Sequence, residues 1–275
     1  MGAKLAHAGW LKKTKKKLKS ADGKQINVYE LVVDQTDVAT LNEWARYFRE
    51  HYLLDAKLDR LRKGTGKSRS ELLIDRVFPN ANDGFGPATR AGDFAEILVA
   101  DLLEKHLGYW VPRIRYSEKM VRDESPKGTD VMGFHLADNS PDHPSTKDRL
   151  LAVESKAQMS GKKANPRLQD AVNDSMKDKW RIGESLHAIK RRLIDQDQDD
   201  DADVVERFQE GNNVPYITET AAAAVLCSSV YDESVISKTD CKSHWNAANL
   251  ALVVIHSKEF MKLVHSLYQR AADEA

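Results

Sequence analysis

An aspartate at 130, a glutamate at 154 and a lysine at 156 stand where ordinary strands carry no charge. Val131 to Leu136 is a short β-rich run and Leu150 to Val153 an apolar one. Between them Asp138 to Ser145 is turn chemistry, so the two runs are expected to pair as a hairpin with a long loop. Strand side chains alternate faces, which puts Glu154 and Lys156 on one side. An acid and a base held against a core cost desolvation unless something requires them. A hard divalent cation is such a requirement: Mg²⁺ takes carboxylate oxygens, water and phosphate oxygens, and Asp130 and Glu154 supply two ligands. Lys156 would then lie beside the activated water, where a cation steadies charge developing on a phosphate. An ion pair at the end of an ordinary strand is the structural alternative.

Asp130, a spacer, then Glu154-x-Lys156 on an apolar strand resembles the PD-(D/E)XK nuclease superfamily, with Thr129 in place of the proline of that name. The resemblance implies a restriction-endonuclease-like α/β fold, a mixed sheet core flanked by helices. It also implies Mg²⁺- or Mn²⁺-dependent hydrolysis of DNA phosphodiesters. Glu96, on the helix predicted over Thr89 to Glu104, matches the glutamate that many members add to the metal shell, and the Ser155 carbonyl is a further implied ligand. Gln158, two residues past Lys156, is expected on the same strand face and could reach the same pocket.

The elements that must position these residues follow in the order the superfamily requires. The Glu96 helix has apolar positions 94, 97, 98, 102 and 103 at helical spacing. Tyr109 to Tyr116 is expected to be the first core strand. Arg113, Arg115, Lys119, Arg122 and Lys127 form a basic approach to Asp130, suited to a nucleic-acid backbone or to an ordinary solvated face. Arg167 to Arg181 is the helix after the Glu-x-Lys strand, and the helical pattern continues to Ile194. The acidic run Asp195 to Asp203 is expected to be a mobile loop. Ala221 to Val230 and Leu250 to His256 are expected strands, and Ser257 is expected to cap a helix reaching Ala272.

Upstream, residues 1–24 carry eight lysines against one acid, Asp22, which is a solvated flank or a phosphate or partner contact. Ile26 to Val33 alternates as a strand. A helix capped by Asp37 follows, its Trp44, Tyr47 and Phe48 spaced as core residues. Gly64 to Ser68 lacks the first glycine of a phosphate loop, since position 61 is leucine, and is expected to be a basic turn between helices. Ser70 to Phe78 is a further helix, ended by Pro79.

The domain expectation is an N-terminal strand–helix extension, 1–88, packed on a nuclease core, 89–275. The 275 residues hold 42 basic and 42 acidic side chains, so general coating of a polyanion is disfavoured. Cys227 and Cys241 have no metal-type spacing and are expected to be free buried thiols. No apolar run has transmembrane length and no signal core opens the chain, so a cytoplasmic protein with no membrane association is expected.

Arg90-x-Gly92-Asp93-Phe94-x-Glu96, the lysine-rich opening, the Glu-x-Lys strand and the helix from Leu168 to Ser175 are together similar to the HamA family, the nuclease subunit of Hachiman anti-phage defence. That resemblance implies DNA as substrate and a helicase subunit, HamB-like, as partner. A stand-alone restriction or repair endonuclease is the alternative among enzymes. A non-cleaving nucleic-acid or partner-binding module is the alternative from another class.

Overall fold

The computed structural model describes residues 5–117, 119–209 and 213–275; Lys4, in the lysine-rich opening, lies outside them. A seven-stranded mixed sheet forms the centre. Its strands are β1 (Leu11–Lys13), β2 (Leu18–Lys19), β3 (Gln25–Leu31), β4 (Val131–His135), β5 (Arg149–Gln158), β6 (Ile217–Cys227) and β7 (Leu250–Ser257). The order is β1-β3-β7-β6-β5-β4, with β2 beside β3. The run from β3 through β7 and β6 to β5 is parallel, and β4 closes the edge antiparallel to β5, with Val131 opposite Val153. The mixed sheet flanked by helices is the expected fold class. β3, from the segment before residue 88, is hydrogen-bonded to β7 within this sheet.

Helices flank both faces. They are α1 (Val38–Glu50), α2 (Asp55–Arg62), α3 (Arg69–Leu72), α4 (Gly86–Leu102), α5 (Arg167–Ser175), α6 (Asp178–Ile194), α7 (Asp199–Gln209), α8 (Glu233–Ile236) and α9 (Phe260–Asp273). Alternation along the strands sorts the core. Leu151, Val153, Ala221, Ala223 and Val225 face α1, α4 and α9. Ala222, Ala224 and Leu226 face α5, and Met132, Phe134 and Leu150 face α6 and α7. No helix among the described residues is long and apolar enough to cross a membrane. Asp37 caps α1 by accepting from the Thr40 N–H at 3.0 Å, and Trp44 and Phe48 are buried. Gly64 to Ser68 is the turn between α2 and α3, with Ser68 and Glu71 forming a capping box. Cys227 and Cys241 are buried and unpaired.

Sequence expectations are corrected at several places. The helix expected over Arg167 to Arg181 is two helices, α5 ending at Ser175 and α6 starting at Asp178. Residues 109–116 make only a single bridge, Trp110 to Phe134, rather than a strand. Pro112 has no N–H to give a ladder, and the basic side chains of this segment turn to α4 instead. That helix is buried almost all round from Asp93 to Leu102, acids included. Arg113 binds Asp101 at 2.9 Å and Glu104 at 2.5 Å, Arg115 binds Glu96 at 2.8 Å, and Lys119 binds Asp93 at 2.5 Å. The segment thus runs antiparallel to α4 as a ladder of acid–base pairs, because buried carboxylates need partners. These three members of the expected basic approach are neither a free phosphate surface nor a solvated face.

The acidic run is not a loop throughout, since Asp199, Asp200 and Asp201 occupy the first turn of α7. Negative side chains suit the positive end of a helix dipole, and Ala202, Val205 and Phe208 bury at helical spacing. Finally, Ser257 does not cap α9. It is the last residue of β7, and its hydroxyl donates to the Leu31 carbonyl at 2.6 Å.

Candidate active site

Asp130 sits immediately before β4, at the point where the ladder to β5 stops. Gly128 turns the chain there with φ +102°, and the nearest atom to a Cβ at this position is the Ser185 hydroxyl, at 3.1 Å. Thr129 ties the turn to α6: its N–H donates to Ser185 Oγ at 3.1 Å and its hydroxyl to Asp178 Oδ1 at 2.9 Å. A proline at 129 could make neither bond. Arg115 holds the other side, donating to the carbonyls of Thr129 at 2.6 Å and Pro126 at 3.1 Å and to Asp130 Oδ1 at 3.1 Å. Asp130 Oδ2 accepts the Ser155 N–H at 3.0 Å. The N–H and C=O of one strand residue point to the same side, so the Ser155 carbonyl also faces the edge where β4 has ended.

Glu154 and Lys156 lie together, as alternation requires, with Lys156 Nζ 2.6 Å from Glu154 Oε1 and 2.9 Å from Asp174 Oδ2. Both side chains are on the α5 face of β5. Glu154 is buried and its Oε2 has no hydrogen-bond partner; the same is true of Asp178 Oδ2. Burial, together with the charge of Asp130, pushes Glu154 up to about 7. Asp178 rises to about 6, burial again leading and Asp130 adding to it. Burial works against the Lys156 ammonium, but its bonds to Glu154 and Asp174 outweigh that and hold its pKa well above the ordinary lysine value.

Glu96 arrives from the opposite face of the sheet, on α4. Its Oε2 accepts from Arg115 at 2.8 Å and from the Tyr116 hydroxyl at 2.6 Å. Burial drives its pKa up to about 8 despite the guanidinium. Asp130 therefore stands between two acids that do not meet, Glu154 with Lys156 on one face and Glu96 with Arg115 on the other. Among the described residues no three His, Cys, Asp or Glu side chains converge as a ready metal cage. Gln158 lines the same cleft but uses its amide on the loop after β5. Asp174, Asp178 and the role of Arg115 escaped the sequence reading. Asp174 lies on α5 and Asp178 opens α6, so no single helical face in the sequence joined them.

The donors test well against a hard cation on one side of Asp130. Asp130, Glu154 and the Ser155 carbonyl are all oxygen ligands, and Glu154 carries an orphaned buried oxygen. Glu96 fits less well, because its Oε2 is already engaged by Arg115 and Tyr116. A cleft of about 810 Å³ opens onto this edge, lined by Glu96, Asp130, Ser155 and Lys156 among others.

A helix-flanked mixed sheet with carboxylates and a lysine gathered at the end of its edge strand is the class of protein these observations define. The family model for HamA matches residues 7–271, nearly the whole chain, and the chain belongs to the HamA family. Membership places it among anti-phage defence proteins. A search of curated proteins finds no match.

Proposed function

We propose that the chain is a metal-dependent deoxyribonuclease, the nuclease subunit of a defence complex that acts with a helicase. One observation carries this reading: Asp130 and Glu154, distant in sequence, stand at one strand edge with Lys156, joined through the Ser155 N–H. Asp130, Glu154 and the Ser155 carbonyl are the proposed ligands of Mg²⁺ or Mn²⁺, with Glu96 the further candidate from the other face. When bound, the ion would lower the pKa of a water and polarise a phosphoryl oxygen. Lys156 stays protonated at neutral pH and so serves as a cation and donor rather than as a base. It orients the attacking water and offsets charge developing on the phosphate oxygens. Asp174 shares the ammonium with Glu154 and so sets its position. The zero net charge and the internal pairing of Arg113, Arg115 and Lys119 support a nuclease that relies on a partner for DNA engagement.

Arg115 and Lys156 already supply two positive charges among the acids, and that observation favours a second reading, a non-cleaving module with a self-compensated ion-pair network. Plasmid cleavage with Mg²⁺ or Mn²⁺ decides between them, comparing the chain with a Glu154→Ala/Lys156→Ala variant, with and without a helicase partner. Cleavage lost in the variant establishes the nuclease, and cleavage seen only with the helicase establishes the complex. No cleavage in any arrangement, with no metal bound, establishes the second reading.

A further inference from the structure

The cleft at the site has two unlike walls. One is the loop that follows β5. Gln158 spans it with its carboxamide, donating to the carbonyls of Lys163 at 2.8 Å and Ser160 at 3.5 Å and accepting the Asn165 N–H at 2.9 Å. Gly161, at φ +110°, makes the turn that this brace requires. The loop is thereby held in shape although it is exposed, and Lys162 and Lys163 line the cleft from it. Neither lysine joins an ion pair among the described residues, in contrast to Lys67, Lys119, Lys156 and Lys177.

The facing wall is the start of α4, where Ala88, Ala91 and Gly92 line the cleft. A Cβ added at Gly92 would meet nothing within 4 Å, and the first turn of the helix has no acid. A backbone can approach this wall closely. Phe85, two residues before Pro87 of the cleft lining, is 82% exposed, an aromatic ring presented to solvent.

We propose that this cleft binds a single, unpaired nucleic-acid strand. Lys162 and Lys163 contact successive phosphates, the Ala88–Gly92 wall admits the backbone, and Phe85 stacks a base where the strand leaves. Cations that follow a backbone, next to an aromatic platform, are the features that hold single strands without reading sequence. The inference rests on the nuclease reading and adds the form of the substrate to it.

The test uses the full chain in EDTA and fluorescence anisotropy with labelled oligo(dT) and with a blunt duplex of equal length, across a salt series. Expected is tighter binding of oligo(dT) than of duplex. Lys162→Ala/Lys163→Ala should weaken it and flatten the salt slope by about 1.4, two single-strand phosphate contacts at about 0.7 each. Phe85→Ala should weaken it about tenfold with little change in slope. All three residues are exposed, and far-UV circular dichroism checks that the variants fold. Variants that bind like wild type, or duplex bound as tightly as oligo(dT), would each overturn the inference. Mn²⁺ titration of the same preparation, dialysed free of EDTA, separates the two levels. Mn²⁺ bound with unaltered variants removes the cleft inference alone, whereas no Mn²⁺ bound removes the nuclease reading beneath it.

Discussion

Asp130 Oδ2 accepts the backbone N–H of Ser155 at 3.0 Å, so the carboxylate takes over the ladder position that β4 vacates. This bond ties the acid to the strand that carries Glu154 and brings two negative charges close together. Asp130→Asn keeps an acceptor for Ser155 and removes the charge. Glu154 should then titrate below its present value of about 7, because the charge of Asp130 is second only to burial in raising it. A carboxyl carbon-13 titration of Glu154 checks this, and an unmoved midpoint would refute it. Mn²⁺ affinity, read by calorimetry, should fall at least about tenfold with the fold intact.

Arg115 is the partner of two acids, Glu96 buried and Asp130 partly buried, and of two carbonyls at once. Arg115→Ala should destabilise the chain by about 3–5 kcal/mol, because it leaves Glu96 and Asp130 without their cation. Arg115→Lys should recover only part of this, since one ammonium cannot reproduce the guanidinium fork. Urea denaturation measures both, and a wild-type midpoint for the alanine variant would show that the network is dispensable.

Stability without metal should fall as pH rises towards 8. Glu96, Glu154 and Asp178 have folded values of about 8, 7 and 6, all above those of ordinary carboxyls. Between the ordinary carboxyl range and about pH 8 the folded state therefore holds more protons than the unfolded one, and stability declines with rising pH. Glu154→Gln should flatten that decline up to about pH 7, raising Tm by several degrees at pH 8 and little at pH 5. Thermal melts across this range suffice; a stability that climbs from pH 5 to 8 would contradict the charge assignment.

Asp148 and Arg207 form a second buried pair, 2.8 Å apart, remote from the site in role. Asp148 also accepts the N–H groups of Ala137 and Ser145, both at 2.9 Å, and so closes the long loop between β4 and β5. Arg207→Met should cost about 3–5 kcal/mol by stranding that carboxylate. It should also speed amide exchange at Ala137 and Ser145, whereas exchange at wild-type rates would separate the pair from loop closure.

Local physics made much of this protein legible from its residues. Periodicity placed α1, α4, α9 and the strands β4 to β7, since burying one face leaves a period of 2 or 3.6 in the sequence. The same alternation put Glu154 beside Lys156, which the structure bears out at 2.6 Å. Asp130 reaches them because an antiparallel hairpin brings its two strands into register. What the tertiary structure decided is how charge is shared across the sheet. Arg113, Arg115 and Lys119 look like a solvent-facing basic stretch until α4 is seen buried from Asp93 to Leu102, with acids that this segment pairs. Glu96 and Glu154 look like companions until strand alternation and helix placement send them to opposite faces, with Asp130 between them. Asp178 joins the site only because α6 packs its first turn against Thr129. Pairing of this kind depends on contacts between residues far apart in the chain, which no local pattern records.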